Sequence, residues 1–211
     1  MSAMDEMTIR RATSADTQRL IDILYDDPPR DMRAMEPDVR KAKALGALAV
    51  RNGLEVAVSR TVVAVIGGRP VGLMEAKRPG QDANATVFAI GNMLLRGLLI
   101  VGLGGGLRYV RYRRARARVE IGRPPDSYYI GELDVHPETR NRGIGARLLE
   151  YAEAEARAEG VGRMSLCTGI TNPAQHLYER SGFRIVETRR HPDYERLTGN
   201  PGRVLMVKEL S

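Results

Sequence analysis

The residues of this chain whose types and spacing suit chemistry are gathered between Glu132 and Ala146. Glu132 and Asp134 alternate with Leu133 and Val135, so the period of two puts both carboxylates on one face of an extended strand. Arg140-Asn141-Arg142-Gly143-Ile144-Gly145-Ala146 follows within a few residues. Two glycines at a helix start remove the side chains that would hold a ligand away from the backbone. The N–H groups so exposed, the positive end of the helix dipole and two arginines together make an anion site.

The elements that must position these groups are legible on either side. Tyr129 to Val135 reads as a buried strand, ended by Pro137, which cannot donate to a ladder and biases His136 away from helix. From Ile144 the apolar residues Ile144, Leu148, Leu149 and Ala152 share one helical face, and the helix runs to Glu159 before Gly160 closes it. Arg163 to Thr168 is a further strand, parallel to the first because a helix separates them. Asn172 caps a short helix with Pro173 at its first position, Gln175 as capping-box partner and Gly182 at its end.

A glycine-rich turn between strand and helix has several possible owners. The lysine and serine of a P-loop are absent, and Leu148 stands where a dinucleotide fold would carry its third glycine. What remains, Arg-x-x-Gly-x-Gly after a Val-x-Pro strand end, resembles the acetyl-CoA loop of the GNAT superfamily of N-acetyltransferases. Asn172-Pro-Ala-Gln-His-Leu-Tyr-Glu-Arg-Ser-Gly-Phe183 resembles the same family's second signature. The likeness covers roughly positions 128 to 190.

The resemblance implies acetyl-CoA as cosubstrate, no metal, and direct transfer of the acetyl group in a ternary complex to a primary amine of a small molecule or peptide. It implies pyrophosphate on the backbone of Arg140, Asn141, Arg142, Gly143, Ile144, Gly145 and Ala146. Pantetheine would pair like an extra strand with Leu133, Asp134 and Val135, where the two parallel strands splay apart. Asn172 would bond pantetheine as well as cap its helix. Tyr178 occupies the position of the usual general acid; the alternative is a tyrosine whose ring packs in the core. Glu132 is the first choice for the base, with Asp134 and Glu75 behind it, and either strand carboxylate could instead pair with an arginine. The C-terminal third is most similar to the branch that acetylates protein N-termini, yet Leu166 to Asn172 lacks the carboxylate that branch uses as base. His136 and His176 read as loop and helix-surface residues, with no second ligand at metal spacing. Two other classes stay open: an acyl-CoA-binding regulatory module, and a peripheral binder of anionic surfaces.

The remaining chain fits an α/β (α+β) GNAT fold, a single domain over 1–211 with a mixed sheet of about seven strands. Met7 to Arg11 is the first strand, Thr13 to Asp16 caps a helix through Leu20, Ile21, Ile23 and Leu24, and Asp26-Asp27-Pro28-Pro29 stops it. The loop at 26 to 31 either meets the acceptor or is a solvated connection. A second helix is expected from Glu36 to about Asn52, opened by Pro37 and closed by Asn52-Gly53. Thr61 to Ile66 and Val71 to Ala76 form a hairpin, and Phe183 to Glu187 and Arg203 to Lys208 complete the sheet, joined by a polar loop.

Residues 80–126 are an insertion between the third and fourth strands. Its apolar part, Thr86 to about Leu103, is expected as a helix packed on the domain or on a second subunit. Arg96 in mid-segment and repeated glycines argue against an integral membrane span. The triplet Gly104 to Gly106 would bend the chain into an Arg-rich segment of strand-like or helical form. Six arginines between 108 and 118 account for most of the charge, since without them +7 falls to about +1. The basicity is therefore local, and no nucleic-acid partner is expected. An apolar helix left bare is a large patch, so residues 86 to 107 are expected to pack on protein and wall the acceptor pocket, with a homodimer favoured. One cysteine excludes an intrachain disulfide, Cys167 reads as buried and inert, and an N-terminus without a basic or apolar leader fits a cytoplasmic protein.

Overall fold

The computed structural model describes residues 7–52, 56–81 and 87–210. The expected closure at Gly53 and helix start at Thr86 lie outside these residues. Seven strands form one mixed sheet: β1 (Thr8–Arg11), β2 (Thr61–Ile66), β3 (Arg69–Lys77), β4 (Tyr128–Val135), β5 (Arg163–Gly169), β6 (Arg184–Arg190) and β7 (Gly202–Glu209). Their order is β1-β2-β3-β4-β5-β7-β6, with β4 and β5 parallel and the other neighbours antiparallel. Gly67 and Gly68 both take positive φ, 56° and 76°, as the tight turn between β2 and β3 requires.

Helices cover both faces. On one, α5 (Ile144–Ala158) lays Leu148, Leu149, Ala152 and Ala156 on Met74, Ile130, Met164 and Met206, and α6 (Gln175–Arg180) adds Tyr178. On the other, α1 (Thr17–Tyr25) and α3 (Val39–Arg51) bury Leu20, Ile21, Ala42 and Val50 against Val63, Val65 and Leu73. Period-two alternation in the strands thus feeds two separate apolar layers.

Three elements depart from the sequence expectation. Arg30–Met35 is a helix, α2, where a loop was read; Asp31 in its first turn and Pro29 at its N-cap were the signals. The next helix begins at Val39, because Asp38 accepts from the N–H of Arg40 and Lys41, and Pro37 precedes this cap. Pro192–Thr198 is also a helix, α7, inside the supposed polar loop, with proline at its start and Gly199 in the left-handed region after it.

The insertion is one long helix, α4 (Val87–Ala117), broken at Gly102, whose φ of 67° and ψ of −178° only glycine adopts readily. The bend therefore lies just before the glycine triplet, and the arginine-rich half is helical. The first half rests on α3, with Gly97 beside Leu45. The second half contacts α2 and α7, and it is Tyr112 and Arg116 here that reach the cleft described below. None of the described residues between 87 and 107, expected to wall the acceptor pocket, lines that cleft, and Leu94, Leu95, Leu98, Leu99, Leu103 and Leu107 are exposed.

A Cβ on Gly46 of α3 would overlap the ring of Tyr25, which is fully buried on α1. Gly46→Ala is expected to lower stability by about 1–3 kcal/mol through overpacking. Urea unfolding followed by circular dichroism measures it, and an unchanged midpoint would show that the two helices have slack.

Candidate active site

The site begins with a register fault. Glu75 faces Glu132 and Ala76 faces Ile130, so Gly131 is an extra residue in β4, a bulge. Glycine is needed there because a Cβ would come within 2.7 Å of Glu75 Oε2. The parallel pairing of β4 with β5 covers Tyr128, Tyr129 and Ile130, whose partners are Met164, Ser165 and Leu166, and stops at the bulge. Past it the two strands part, and β5 keeps only its β7 neighbour up to Gly169.

Backbone direction beyond the bulge follows from one bond. His136 donates its N–H to Val71 of β3 at 2.8 Å, so by alternation the N–H and C=O of Leu133 and Val135 point into the gap. At Val135 both groups are engaged by the protein: Asp134 Oδ1 accepts from the N–H at 2.7 Å, and Arg140 Nε donates to the C=O at 3.0 Å. That leaves the backbone edge of Leu133 facing the gap.

The gap continues into a cleft of about 1510 Å³ that runs from the turn at 139–146 along β4 to α2, α4 and α7. At the turn, Asn141 and Gly143 take φ of 61° and 76°. Gly143 caps α5, and Arg147 is the first residue of that helix to donate inward, to the Gly143 carbonyl at 3.1 Å. The N–H groups of Gly143, Ile144, Gly145 and Ala146 precede that bond, so they face outward with the positive end of a 15-residue helix and no acid in its first turn. Gly145 has a packing reason as well, since a Cβ would come within 2.9 Å of Leu177. Arg140 and Arg142 are both exposed at the turn, and Arg140 reaches back toward the strand, 3.5 Å from Asp134 and 3.6 Å from Asp27.

Across the gap, α6 presents Tyr178. Its ring meets Phe183 edge-on at 6.2 Å, and burial, then the nearby charges of Glu132 and Asp134, push its phenol above the usual range. The helix starts at Gln175 with Ala174 as its N-cap, so Asn172 is not the cap expected of it; it lies two residues earlier, accepting from Ala174 N–H at 2.9 Å and donating to Thr168 Oγ1 at 2.7 Å. The expected capping box is not formed: Gln175 donates instead to the carbonyls of Gly169 and Ile170.

Of the three candidate bases, Glu132 and Asp134 line the cleft and Glu75 does not. Glu75 is buried beneath the bulge and accepts from Arg60 at 2.8 and 3.1 Å, a structural ion pair. Burial raises the Asp134 carboxyl above its ordinary value, against the lowering effects of Val135 N–H and Arg140. His176 is on the surface as expected, whereas His136 is buried. Cys167 is half-buried on the cleft wall, with Arg203 Nε 3.3 Å from its sulfur, where a buried position was expected.

The far end of the cleft was not anticipated. Asp31 of α2 accepts from Tyr112 of α4 at 2.7 Å and from Tyr194 of α7 at 2.9 Å, and Arg203 lies 3.9 Å away. Burial and the Asp31 charge push the Tyr194 phenol up to about 12, so it remains a donor. These residues come together from distant positions, and only the helix-start signals before Asp31 and Tyr194 were readable. Among the described residues no group of three acidic, histidine or cysteine side chains is arranged to hold a metal.

Because its folded-state value is raised, the Asp134 charge opposes folding. That opposition is absent below about pH 3.9 and develops as pH rises through the higher folded value. Asp134→Asn keeps an acceptor for Val135 N–H and removes the charge. Its Tm should exceed wild type near neutral pH by a few degrees at most, about 2–4 °C per kcal/mol, with the gain vanishing in acid. Scanning calorimetry across pH checks this, and a loss of Tm at neutral pH would mean that the Arg140 pair outweighs the burial.

The sequence matches the family model "Acetyltransferase (GNAT) family" over residues 18–183. Two relatives match it over short stretches. GCN5-related N-acetyltransferase 6, chloroplastic, of Arabidopsis thaliana is 39% identical over 61 residues, 28% of this chain and 21% of that one. Streptothricin acetyltransferase of Streptomyces lavendulae is 40% identical over 55 residues, 26% of this chain and 29% of that one. The chain thus covers under a third of either relative. A solved structure described as histone acetyltransferase HPA2 and related acetyltransferase from Corynebacterium glutamicum superposes with a TM-score of 0.63. It is 23% identical and covers 98% of this chain and 97% of that one, a likeness of fold. With its bulged and splayed strand pair, its glycine turn and a family match over most of its length, the chain belongs to the GNAT family of acetyltransferases.

Proposed function

We propose that this protein transfers the acetyl group of acetyl-CoA directly to a primary amine of a small molecule or peptide, with both substrates bound at once. The observation that carries the reading is convergence. The strand edge at Leu133, the outward N–H groups at 143–146, two carboxylates and Tyr178 all meet in one cleft, open toward α2, α4 and α7.

The residues fit the cosubstrate. Left-handed Gly143 and the uncapped start of α5 suit a diphosphate, and the Leu133 edge suits an amide-bearing arm. Arg142 adds charge to the diphosphate end, and Asn172 lies at the rim of the arm's path. Acetyl-CoA, when bound, supplies the activated acyl carbon and a thiol leaving group. Glu132 and Asp134 draw a cationic amine to the far side of the gap and must then relieve it of a proton. Glu132 lines the cleft and its charge acts on the Tyr178 phenol, whereas Glu75 is buried against Arg60 away from the opening, so we assign the base to Glu132. The Tyr178 hydroxyl stays protonated at any working pH. Full proton transfer from a phenol near 10 to a thiolate near 8.5 is already uphill by about 2 kcal/mol, and the raised value adds to that. Tyr178 therefore acts chiefly by hydrogen bonding to charge on the departing sulfur, and the proton follows late.

Tyr178→Phe should lower kcat roughly 10- to 100-fold, short of the usual range for acid catalysis because a thiolate leaves readily, with little change in the acetyl-CoA KM. Steady-state kinetics on an identified amine decides it, and wild-type parameters would reduce Tyr178 to a packing residue. Glu132→Gln should abolish the acid-side fall of kcat/KM that protonation of the base imposes.

Arg142→Glu, at an exposed position, should weaken acetyl-CoA binding about 10-fold or more in calorimetry without changing Tm. Unaltered affinity would remove the diphosphate from this turn.

A further inference from the structure

The cleft uses one side of α4 and leaves the other unexplained. Leu99 and Leu103 are each 79% exposed, Leu107 69% and Leu95 65%, and Leu94, Leu98 and Val110 extend the same bare surface. Exposed Arg96 lies within this ridge, and exposed Arg111, Arg113, Arg114 and Arg118 continue it. From Val87 to Val119 the sequence contains seven arginines and no acidic residue. The opposite side of the helix is fixed to the domain. Gly97 packs beside Leu45, Arg108 donates to Met35 O at 3.1 Å and Glu36 at 2.6 Å, and Tyr112 donates to Asp31 at 2.7 Å.

We propose that the outer face of α4 docks on an anionic lipid bilayer, lying in the interface with its leucines among the acyl chains and its arginines at the phosphates. An apolar ridge continuous with a cationic one is the chemistry of an interfacial helix. Met93–Ala117 has the length of a membrane-crossing helix, and its most apolar 18-residue window has a mean hydropathy of 1.4. Crossing would strip the Glu36, Asp31 and Leu45 contacts that hold the helix on the domain and would carry arginines into hydrocarbon. The bend at Gly102 likewise suits a helix following a surface. A second copy seated on this face would set its arginines against their equivalents with no acid between them, which like-charge repulsion opposes.

The test is cosedimentation of the full chain with vesicles of phosphatidylcholine containing about a third phosphatidylserine, and with phosphatidylcholine alone, at about 0.15 M salt. Binding to the first and not the second is expected. Leu99→Glu with Leu103→Glu should abolish it, and reversal of Arg111, Arg113 and Arg114 to Glu should weaken it about 100-fold. All five positions are exposed, so the melting curves of these variants should match wild type, and acetyl-CoA affinity should be unaffected. Failure to bind anionic vesicles, equal binding to neutral ones, or indifference to both variants overturns the proposal. A dimer in light scattering that Leu99→Glu dissociates, without vesicle binding, assigns the face to a second copy instead.

Discussion

Everything functional in this molecule depends on β4 and β5 failing to remain paired. Three residues of parallel ladder hold the strands together, and the bulge at Gly131 then ends the register. A parallel sheet normally buries its edges completely, so an open pair of strands in mid-sheet leaves backbone groups that require a partner. Leu133 presents such groups to the gap, and the neighbouring Val135 shows what happens when they are answered internally, by Asp134 and Arg140. The buried Glu75–Arg60 pair lies on the other side of the same bulge. Removing either partner would leave a charge stranded under the strand that carries the site, at a cost of about 3–5 kcal/mol.

The bulge also sorts the side chains. Ile130 and Leu133 both contribute to the α5 face although they stand three positions apart, which a period of two forbids and an extra residue permits. Glu132 and Asp134 consequently face the cleft with Tyr178 opposite, and the α5 core receives the apolar residues. Helix α5 serves two ends: its buried stripe anchors one face of the sheet, and its uncapped start turns N–H groups outward. At the other end of the cleft α2, α4 and α7 meet at Asp31 through two tyrosine hydroxyls. In the proposed function the first end takes the cosubstrate and the second the acceptor.

The strands, helices α1 and α5 and the glycine turn were readable from the sequence because each rests on local pattern. Apolar runs bounded by turn residues mark β2 to β5, the stripe from Ile144 to Ala152 marks α5, and the turn is carried by glycines whose conformations other residues resist. The bulge was not readable, since Gly131 is a single glycine in a strand and its register depends on Glu75. Nor was the elimination of Glu75 as a base, which follows from its pairing with Arg60, a contact between positions 15 residues apart. Helices α2 and α7 are only six and seven residues long, too short for periodicity to show, and they are held by tertiary contacts about Asp31. In α4 composition pulled two ways: arginine and alanine favour helix, while alternation from Arg114 suggested strand. Packing of Tyr112, Ala115 and Val119 against Tyr194 decided for helix.

Amide hydrogen exchange with and without acetyl-CoA tests the central claim most directly. If the gap between β4 and β5 receives the cosubstrate, exchange should slow at Leu133 and at Gly143, Ile144, Gly145 and Ala146 together, with little change at Val135, whose N–H is already bonded to Asp134. Protection confined to other segments, or absent from Leu133 while the turn is protected, would contradict an arm bound along the open strand edge.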